Sequence, residues 1–266
     1  MGRKGDHMHD DYVTGDCELR VDFLGTTRIA YGPVRIDARL SQNALLIFGM
    51  LLLQRDERLD REQLAFTLWP DHAESDARAN LRRQLYLLQH ALPDAVREQL
   101  RCDARSITWA ERESVRIDVA DFERLGAEPG GVEAAASIYR GDFMPRVDHE
   151  WALDLRQRLA SDFRCALERA TRQCVGRGDW AAALRYLERL LGSDPWRENT
   201  LRDMMMLRYR LGDRAGALAV YQDFRRRVKA ELDVDPMPET IRCHDAIVRG
   251  EPTRETIAFE PILQYA

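Results

Sequence analysis

Cross-linking and metal-binding residues are scarce in this chain of 266 residues. Its five cysteines (Cys17, Cys102, Cys165, Cys174 and Cys243) are odd in number, widely scattered and never spaced as Cys-x-x-Cys. That pattern argues against a disulfide frame and a thiolate zinc site, and fits free thiols in a reducing cytoplasm. The six histidines are equally dispersed: His7 and His9 lie near the start, and His149-Glu150 does not open a His-Glu-x-x-His metal helix. No metal and no other cofactor is expected. The longest apolar run, Ala44 to Leu53, is too short to cross a bilayer, so no membrane partner is expected. The first ten residues carry charge and His without an apolar stretch, so nothing there reads as a secretory signal. Acidic residues are plentiful, but no pair is singled out by a nearby His or nucleophile. No catalytic constellation, and hence no enzyme, is expected.

What is present describes a soluble globular chain, 45% apolar and 32% charged. Its length suits one large or two medium domains, each with its own core. The net charge of −5 argues weakly against a nucleic-acid partner, but the charge is unevenly spread. Between residues 78 and 105, Arg78, Arg82, Arg83, Arg97, Arg101 and Arg105 stand against Asp94, Glu98 and Asp103, a local net charge of +3. Such a reversal of sign is the footprint of a phosphate-facing element.

The second half echoes itself at an offset of 34 residues: Gly178, Asp179, Ala183, Leu184, Leu187 and Leu190 align with Gly212, Asp213, Ala217, Leu218, Tyr221 and Phe224. That period is the length of one tetratricopeptide unit, two antiparallel helices that bury their shared face by stacking on neighbours. Helical stretches are expected over Val132–Tyr139, Glu150–Val175, Trp180–Leu191, Trp196–Leu211, Arg214–Leu232 and Pro238–Val248, punctuated by glycines. Trp69, Trp151, Trp180 and Trp196 suit core or helix-junction anchors, and the Met204-Met205-Met206 run suits an adaptable packing surface.

The first half reads differently. Strand-period alternation from Glu18 to Ala38, broken by Gly25 and Gly32-Pro33, predicts three short antiparallel strands. Ser41 can cap a first helix, and Asp60-Arg61-Glu62-Gln63 a second. Ser75 can cap a third helix that runs to about Leu92. Ser106–Trp109 and Ser114–Val119 read as two strands of a terminal hairpin around a charged turn, Glu111-Arg112-Glu113. This order predicts a winged helix-turn-helix with an N-terminal sheet. Asp121 to Gly131 reads as a connector into the helical half. The expected domains are a disordered lead-in at 1–16, a winged helix at 17–118, a helical repeat domain at 119–250, and a linker or tail at 251–266. The fold class is mainly α, with an α+β N-terminal part.

On the third helix Leu81, Leu85, Leu88 and Leu92 form one stripe, while Ala79, Arg83, Tyr86 and His90 point the opposite way with Arg82 on the flank. An α-helix fits the major groove of B-DNA, where each base pair shows its own donor and acceptor pattern. Arg82 and Arg83 have the reach for guanine edges or phosphates, and Tyr86 for phosphate or a thymine methyl. The plain alternative is a solvated helix face, where Arg is common. Arg78 and Asn80 are expected near the helix N-terminus, where unpaired N–H groups favour phosphate. Arg105 and Arg112 flank the expected wing, within reach of a neighbouring minor groove or backbone.

These residues resemble the Streptomyces antibiotic regulatory proteins over about residues 17 to 249. The first half is similar to their OmpR-like winged-helix DNA-binding domain through Leu24-Gly25, Leu51-Leu52-Leu53, Leu68-Trp69-Pro70-Asp71 and Ala77-Arg78-x-Asn80-Leu81. The second half resembles their bacterial transcriptional activation domain. It does so through Tyr139-Arg140-Gly141-Asp142-Phe143-Met144-Pro145, Trp151, Arg156-x-Arg158-Leu159 and Ala217-Leu218-x-x-Tyr221-x-x-Phe224-Arg225-Arg226. The most specific block is Glu231-Leu232-x-Val234-Asp235-Pro236-x-Pro238-Glu239-Thr240. Two departures stand out. Leu87, Gln89 and His90 occupy positions where family members often carry Arg, and the chain lacks the Gly-x-x-x-x-Gly-Lys-Ser/Thr of larger relatives. The resemblance implies a transcription activator that binds repeated elements in double-stranded DNA, contacts RNA polymerase and self-associates on DNA. Two rival readings remain: an interaction scaffold built on the repeat groove, and the sensory front end of a larger signal-transducing NTPase.

Overall fold

A computed structural model describes residues 18–54, 57–110 and 115–250. The expected lead-in and tail, and Arg112 with its charged turn, lie outside the described residues. The chain divides into two compact units: Met1–Asp118 with Met144–His149, and Val119–Phe143 with Glu150–Ala266.

In the first unit, β1 (Leu19–Asp22), β2 (Arg28–Tyr31) and β3 (Val34–Arg35) pair antiparallel, as the alternation of apolar residues requires. Leu19 and Val21 point into the core while Arg20 stays exposed. Ser41 caps α1 (Gln42–Leu53) by accepting the Ala44 N–H at 3.2 Å. After β4 (Leu59–Asp60), the Asp60 carboxylate caps α2 (Arg61–Leu68), accepting the N–H groups of Glu62 and Gln63 at 2.8 and 2.9 Å. Next come α3 (Glu74–Ala91), the single turn α4 (Asp94–Arg97), β5 (Leu100–Cys102), β6 (Ser106–Trp109) and β7 (Val115–Ile117).

The expected hairpin of Ser106–Trp109 with Ser114–Val119 does not form. β6 instead pairs with β5 and β4, and β7 crosses to lie parallel to β1, with Leu19 opposite Val115. Burial explains the choice: Ile117 is buried beside Val21, its partner in register. The Asp118 carboxylate then accepts the Phe23 and Leu24 N–H groups, each at 2.9 Å. The hairpin turn therefore falls at Asp103–Arg105.

The core of this unit is built by Phe23, Leu46, Ile47, Phe48, Leu51, Leu85, Leu88 and Ile107, with Trp109 edge-on to Phe48 at 5.4 Å. Its last piece arrives from far along the chain. Met144 is fully buried, donates its N–H to the Phe23 carbonyl at 2.9 Å, and fills the space left by Gly49, where a Cβ would collide with its methyl group. Met144 holds φ at 40°, a left-handed conformation unusual for a side-chain-bearing residue.

The second unit begins with a correction. Of the stretch Asp121 to Gly131 expected as a connector, residues 121–127 belong to α5 (Asp118–Ala127), which buries Val119 and Phe122 one turn apart, and 128–131 join it to the next helix. Its exposed side is braced by Arg124, ion-paired to Asp121 and Glu128. Then follow α6 (Val132–Ile138), α7 (Glu150–Gly176), α8 (Trp180–Ser193), α9 (Glu198–Arg210), α10 (Arg214–Leu232) and α11 (Pro238–Arg249).

The 34-residue echo has a physical content. α7 and α9 each end at a left-handed glycine, Gly178 (φ 73°) and Gly212 (φ 82°). Gly178 N–H bonds to Val175 O and Asp179 N–H to Cys174 O; Gly212 N–H bonds to Tyr209 O and Asp213 N–H to Arg208 O, all at 2.9–3.0 Å. This is the Schellman pattern, made twice. The same aspartates then cap the next helices, Asp179 on Ala182 N–H at 3.0 Å and Asp213 on Gly216 N–H at 2.8 Å. Ala183 and Ala217 are fully buried at matching positions of α8 and α10, each in an apolar cluster with side chains of α9.

Between them α9 is enclosed on several sides. Met204 packs with Leu187 and Ala183, Met205 and Met206 with Tyr221 and Phe224, so three consecutive methionines are buried. That enclosure also buries Asp203, whose Oδ2 has no hydrogen-bond partner; burial drives its carboxyl from 3.8 up to about 7.

Candidate nucleic-acid interface

α3 is amphipathic along its length, and its orientation is set from both flanks. Ala77, Leu81, Leu85, Leu88 and Ala91 are buried, whereas Ala79, Arg82, Arg83, Tyr86, Leu87 and His90 are exposed. Ser41 Oγ at the head of α1 donates to Gln84 Oε1 at 2.7 Å, and Gln89 Nε2 donates to Cys102 Sγ on β5 at 3.7 Å. These two contacts commit Gln84 and Gln89 to the scaffold and fix which face of the helix looks outward.

Arg82 and Arg83 stand on that outward face, and among the described residues neither forms an ion pair or hydrogen bond. Their charge is thus available to an external anion. Tyr86, 58% exposed, is braced by His90: the rings meet tilted with centroids 3.9 Å apart, and His90 Nδ1–H donates to the Tyr86 carbonyl at 2.8 Å. Because a carbonyl can only accept, this contact places the proton on Nδ1. His90 therefore positions Tyr86. Leu87, 40% exposed, adds an apolar contact beside it.

Arg78 and Asn80 are placed differently from expectation. The helix starts at Glu74, so both lie beyond the first turn and neither offers a free N–H at the terminus. Glu74 and Asp76 occupy that turn, where they repel phosphate. Ser75 lies inside the helix and Ala73 takes the cap position, without a side-chain cap. Arg78 is held by Glu62 at 3.1 Å and by Glu74, on the rim of a groove of about 560 Å³ lined by Phe66, Trp69 and Ala77. Asn80 is half-buried.

Arg105 projects from the β5–β6 hairpin turn. Asp103 organises this turn by accepting Ser106 N–H at 2.6 Å, Ser106 Oγ–H at 2.8 Å and Arg105 N–H at 2.8 Å. These bonds, led by the Ser106 N–H, hold the Asp103 carboxyl down at about 2. The carboxylate is spent inside the turn, and the Arg105 side chain is exposed. The turn is also pinned to the start of α2: Arg61 N–H donates to Arg105 O at 2.9 Å and Arg61 Nη1 to Asp103 O at 3.1 Å. Sequence reasoning passed over Arg61 because its partners lie more than forty residues away and no local pattern signals them.

Chemically, the surface offers two uncommitted guanidiniums and a braced phenol on one helix face, with a further guanidinium on a rigid hairpin turn. No group of three or more His, Cys, Asp or Glu side chains able to hold a metal occurs among the described residues, and no described helix is long and apolar enough to cross a membrane.

Comparison with known proteins agrees with this architecture. A family model described as bacterial transcriptional activator domain matches residues 117–248. The chain is 28% identical over 258 residues to "Regulatory protein AfsR" of Streptomyces griseus, covering 91% of this chain and 26% of that protein. It is 29% identical to the AfsR of Streptomyces coelicolor, covering 88% of this chain and 24% of that protein. The chain thus spans about a quarter of the length of these relatives. "Transcriptional regulatory protein MoaR1" of Mycobacterium tuberculosis is 22% identical, with 85% of this chain and 80% of that protein covered. Among solved structures, Mycobacterium tuberculosis EmbR in complex with a low-affinity phosphopeptide superposes with a TM-score of 0.61 at 19% identity, over 90% of this chain and 68% of that one. That likeness concerns the fold.

Proposed function

We propose, on the premise that the chain belongs to the family of Streptomyces antibiotic regulatory proteins built on a bacterial transcriptional activator domain, that it is a cytoplasmic, sequence-specific DNA-binding activator of transcription. In this reading α3 enters the major groove, Arg82, Arg83 and Tyr86 meet bases and phosphates, and Arg105 reaches the adjacent backbone or minor groove. The helical unit contacts RNA polymerase. The observation that carries the reading is the pair Arg82 and Arg83, without partners among the described residues, on the outward face of a helix tied down on both flanks. Such a face on a scaffold this rigid presents cations at fixed spacing, which is what a duplex requires.

Selection of bound sequences from a random DNA pool, followed by gel shifts over a salt series, tests it. Arg83→Ala should weaken specific binding by about 1–3 kcal/mol if the side chain reads a base, and weaken all sequences alike with a shallower salt slope if it holds phosphate. Unchanged affinity in folded Arg82→Ala and Arg83→Ala variants would remove α3 from the interface and leave the interaction-scaffold reading in its place. One α3 reads only a handful of base pairs, so two protomers on a direct repeat supply the needed discrimination. Sedimentation of the free protein and footprinting of a selected site check this; a stable free dimer protecting an inverted repeat contradicts it.

A further inference from the structure

The connection between α10 and α11 is built more rigidly than a chain reversal needs. α10 ends at Leu232, and Asp233 turns left-handed at φ 53° and ψ 31°, held by Lys229 Nζ at 2.7 Å from its Oδ1. At the far end the Met237 N–H is bracketed by both oxygens of Glu198, at 3.1 and 2.9 Å. Pro236 is buried between these anchors, and Pro238 opens α11 with its φ already set. The segment is thus held at both ends.

On this fixed frame the apolar side chains face outward. Leu232, Val234 and Met237 are 54%, 51% and 57% exposed. A solvated loop usually carries polar residues, and single exposed apolar side chains are ordinary. Three within six residues, on a segment pinned at both ends, form an ordered apolar surface. The segment's own charges are all negative, with Lys229, Arg202 and Arg242 at its flanks. From residue 230 to 241 the chain carries Glu231, Asp233, Asp235 and Glu239 and no cation. Asp233 is taken by Lys229 and Glu239 by Arg242 at 2.8 Å. Glu231 and Asp235 have no ion-pair partner among the described residues. The exposed Arg225–Arg227 lie further up α10. Phosphate and anionic lipid are repelled by such a surface. Its complement is a protein surface with an apolar socket rimmed by Lys or Arg.

We propose that the segment Glu231–Glu239 is a docking surface for such a partner. Resting on the activator reading above, the partner is a basic-rimmed apolar socket on RNA polymerase. Preorganisation lets a small surface bind, because little ordering entropy is lost on contact.

The test uses the full chain with immobilised bacterial RNA polymerase holoenzyme, read by biolayer interferometry, and gel shifts on a selected DNA site in parallel. The triple variant Leu232→Ser, Val234→Ser, Met237→Ser should lose at least tenfold in polymerase binding. A charge-reversal pair, Glu231→Lys with Asp235→Lys, should lose as much. Both should bind DNA within about twofold of the parent, since neither touches α3. If the triple variant melts lower, Met237→Ser alone, the most exposed of the three, carries the test. Polymerase binding unchanged in these variants overturns the docking surface and spares the polymerase reading. A parent chain that binds DNA but no polymerase overturns both. Self-association of the parent that the triple variant abolishes, without a change in polymerase binding, overturns the proposal in favour of a contact between copies.

Discussion

The sheet of the first unit is closed by pairing Leu19 with Val115, and its core by Met144, whereas the second unit closes α7 onto α8 and α9 onto α10 through a twice-used Gly-Asp turn. Both units bury apolar faces, but they spend chain length differently. Long-range closure gives the first unit a rigid frame from which one helix face and one hairpin turn are presented outward. Local closure gives the second a stack whose crossings depend on single methyl groups at Ala183 and Ala217 and on two capping carboxylates.

The comparison breaks most visibly at Met144. Met144→Ala removes the plug over Gly49 and should cost about 2–5 kcal/mol, because the rigid surroundings collapse only in part. Hydrogen exchange should rise in β1 and α1, and if it rises only in α7 to α11 the division into units is wrong. The next largest effect lies at Asp203, and it depends on pH. Its carboxyl titrates near 7 in the fold against 3.8 as the reference, so the folded state binds the extra proton. The stability that Asp203 contributes should be fully present below about pH 4, fall as pH rises from 4 to 7, and stay level above. Arg202 opposes the shift and Glu168 adds to it, while Cys243 feels the same carboxylate. Asp203→Asn should flatten this loss, gaining up to about 4 kcal/mol over the parent at pH 8 and little at pH 4. Melts at the two pH values decide it.

Smaller effects sharpen the local side. Ala217→Leu should overpack the α9–α10 crossing and destabilise the second unit by about 1–3 kcal/mol, leaving exchange in the first unit unchanged. Parent-like melting of that variant would count against a repeat based on close crossings. Asp179→Ala should cost about 1 kcal/mol by removing the α8 cap, with early fraying in α8 amides as the readout.

What could be read from the chain follows the same line. The turn at Gly212-Asp213, the Ser41 and Asp60 caps and the stripe of α3 were legible because each is a pattern within a few residues. The helix over Asp118–Ala127 was missed because it is short, and charged residues dilute its two buried positions. The partner of β7 was missed because Val115–Ile117 alternates equally well for either sheet; only burial against Val21 and the Asp118 bonds decide it. At the interface, the outward direction of Arg82, Arg83 and Tyr86 was readable from helical period. The capture of Arg78 by Glu62 was not, since it depends on how α2 packs on α3. The solvent-facing apolar side chains of the α10–α11 connection sat inside a motif whose spacing gives no hint of exposure.

The placement of Met144 also sets an order of assembly during synthesis. The ribosome delivers every strand and helix of the winged-helix unit up to Asp118 before it delivers the residue that fills the space over Gly49. A nascent chain at that stage has α3 but an unfilled core, and it cannot be completed until α5 and α6 have also emerged. Completion of the first unit's core is therefore tied to translation beyond Phe143, and a gene fusion cut at residue 118 transfers an unfinished fold.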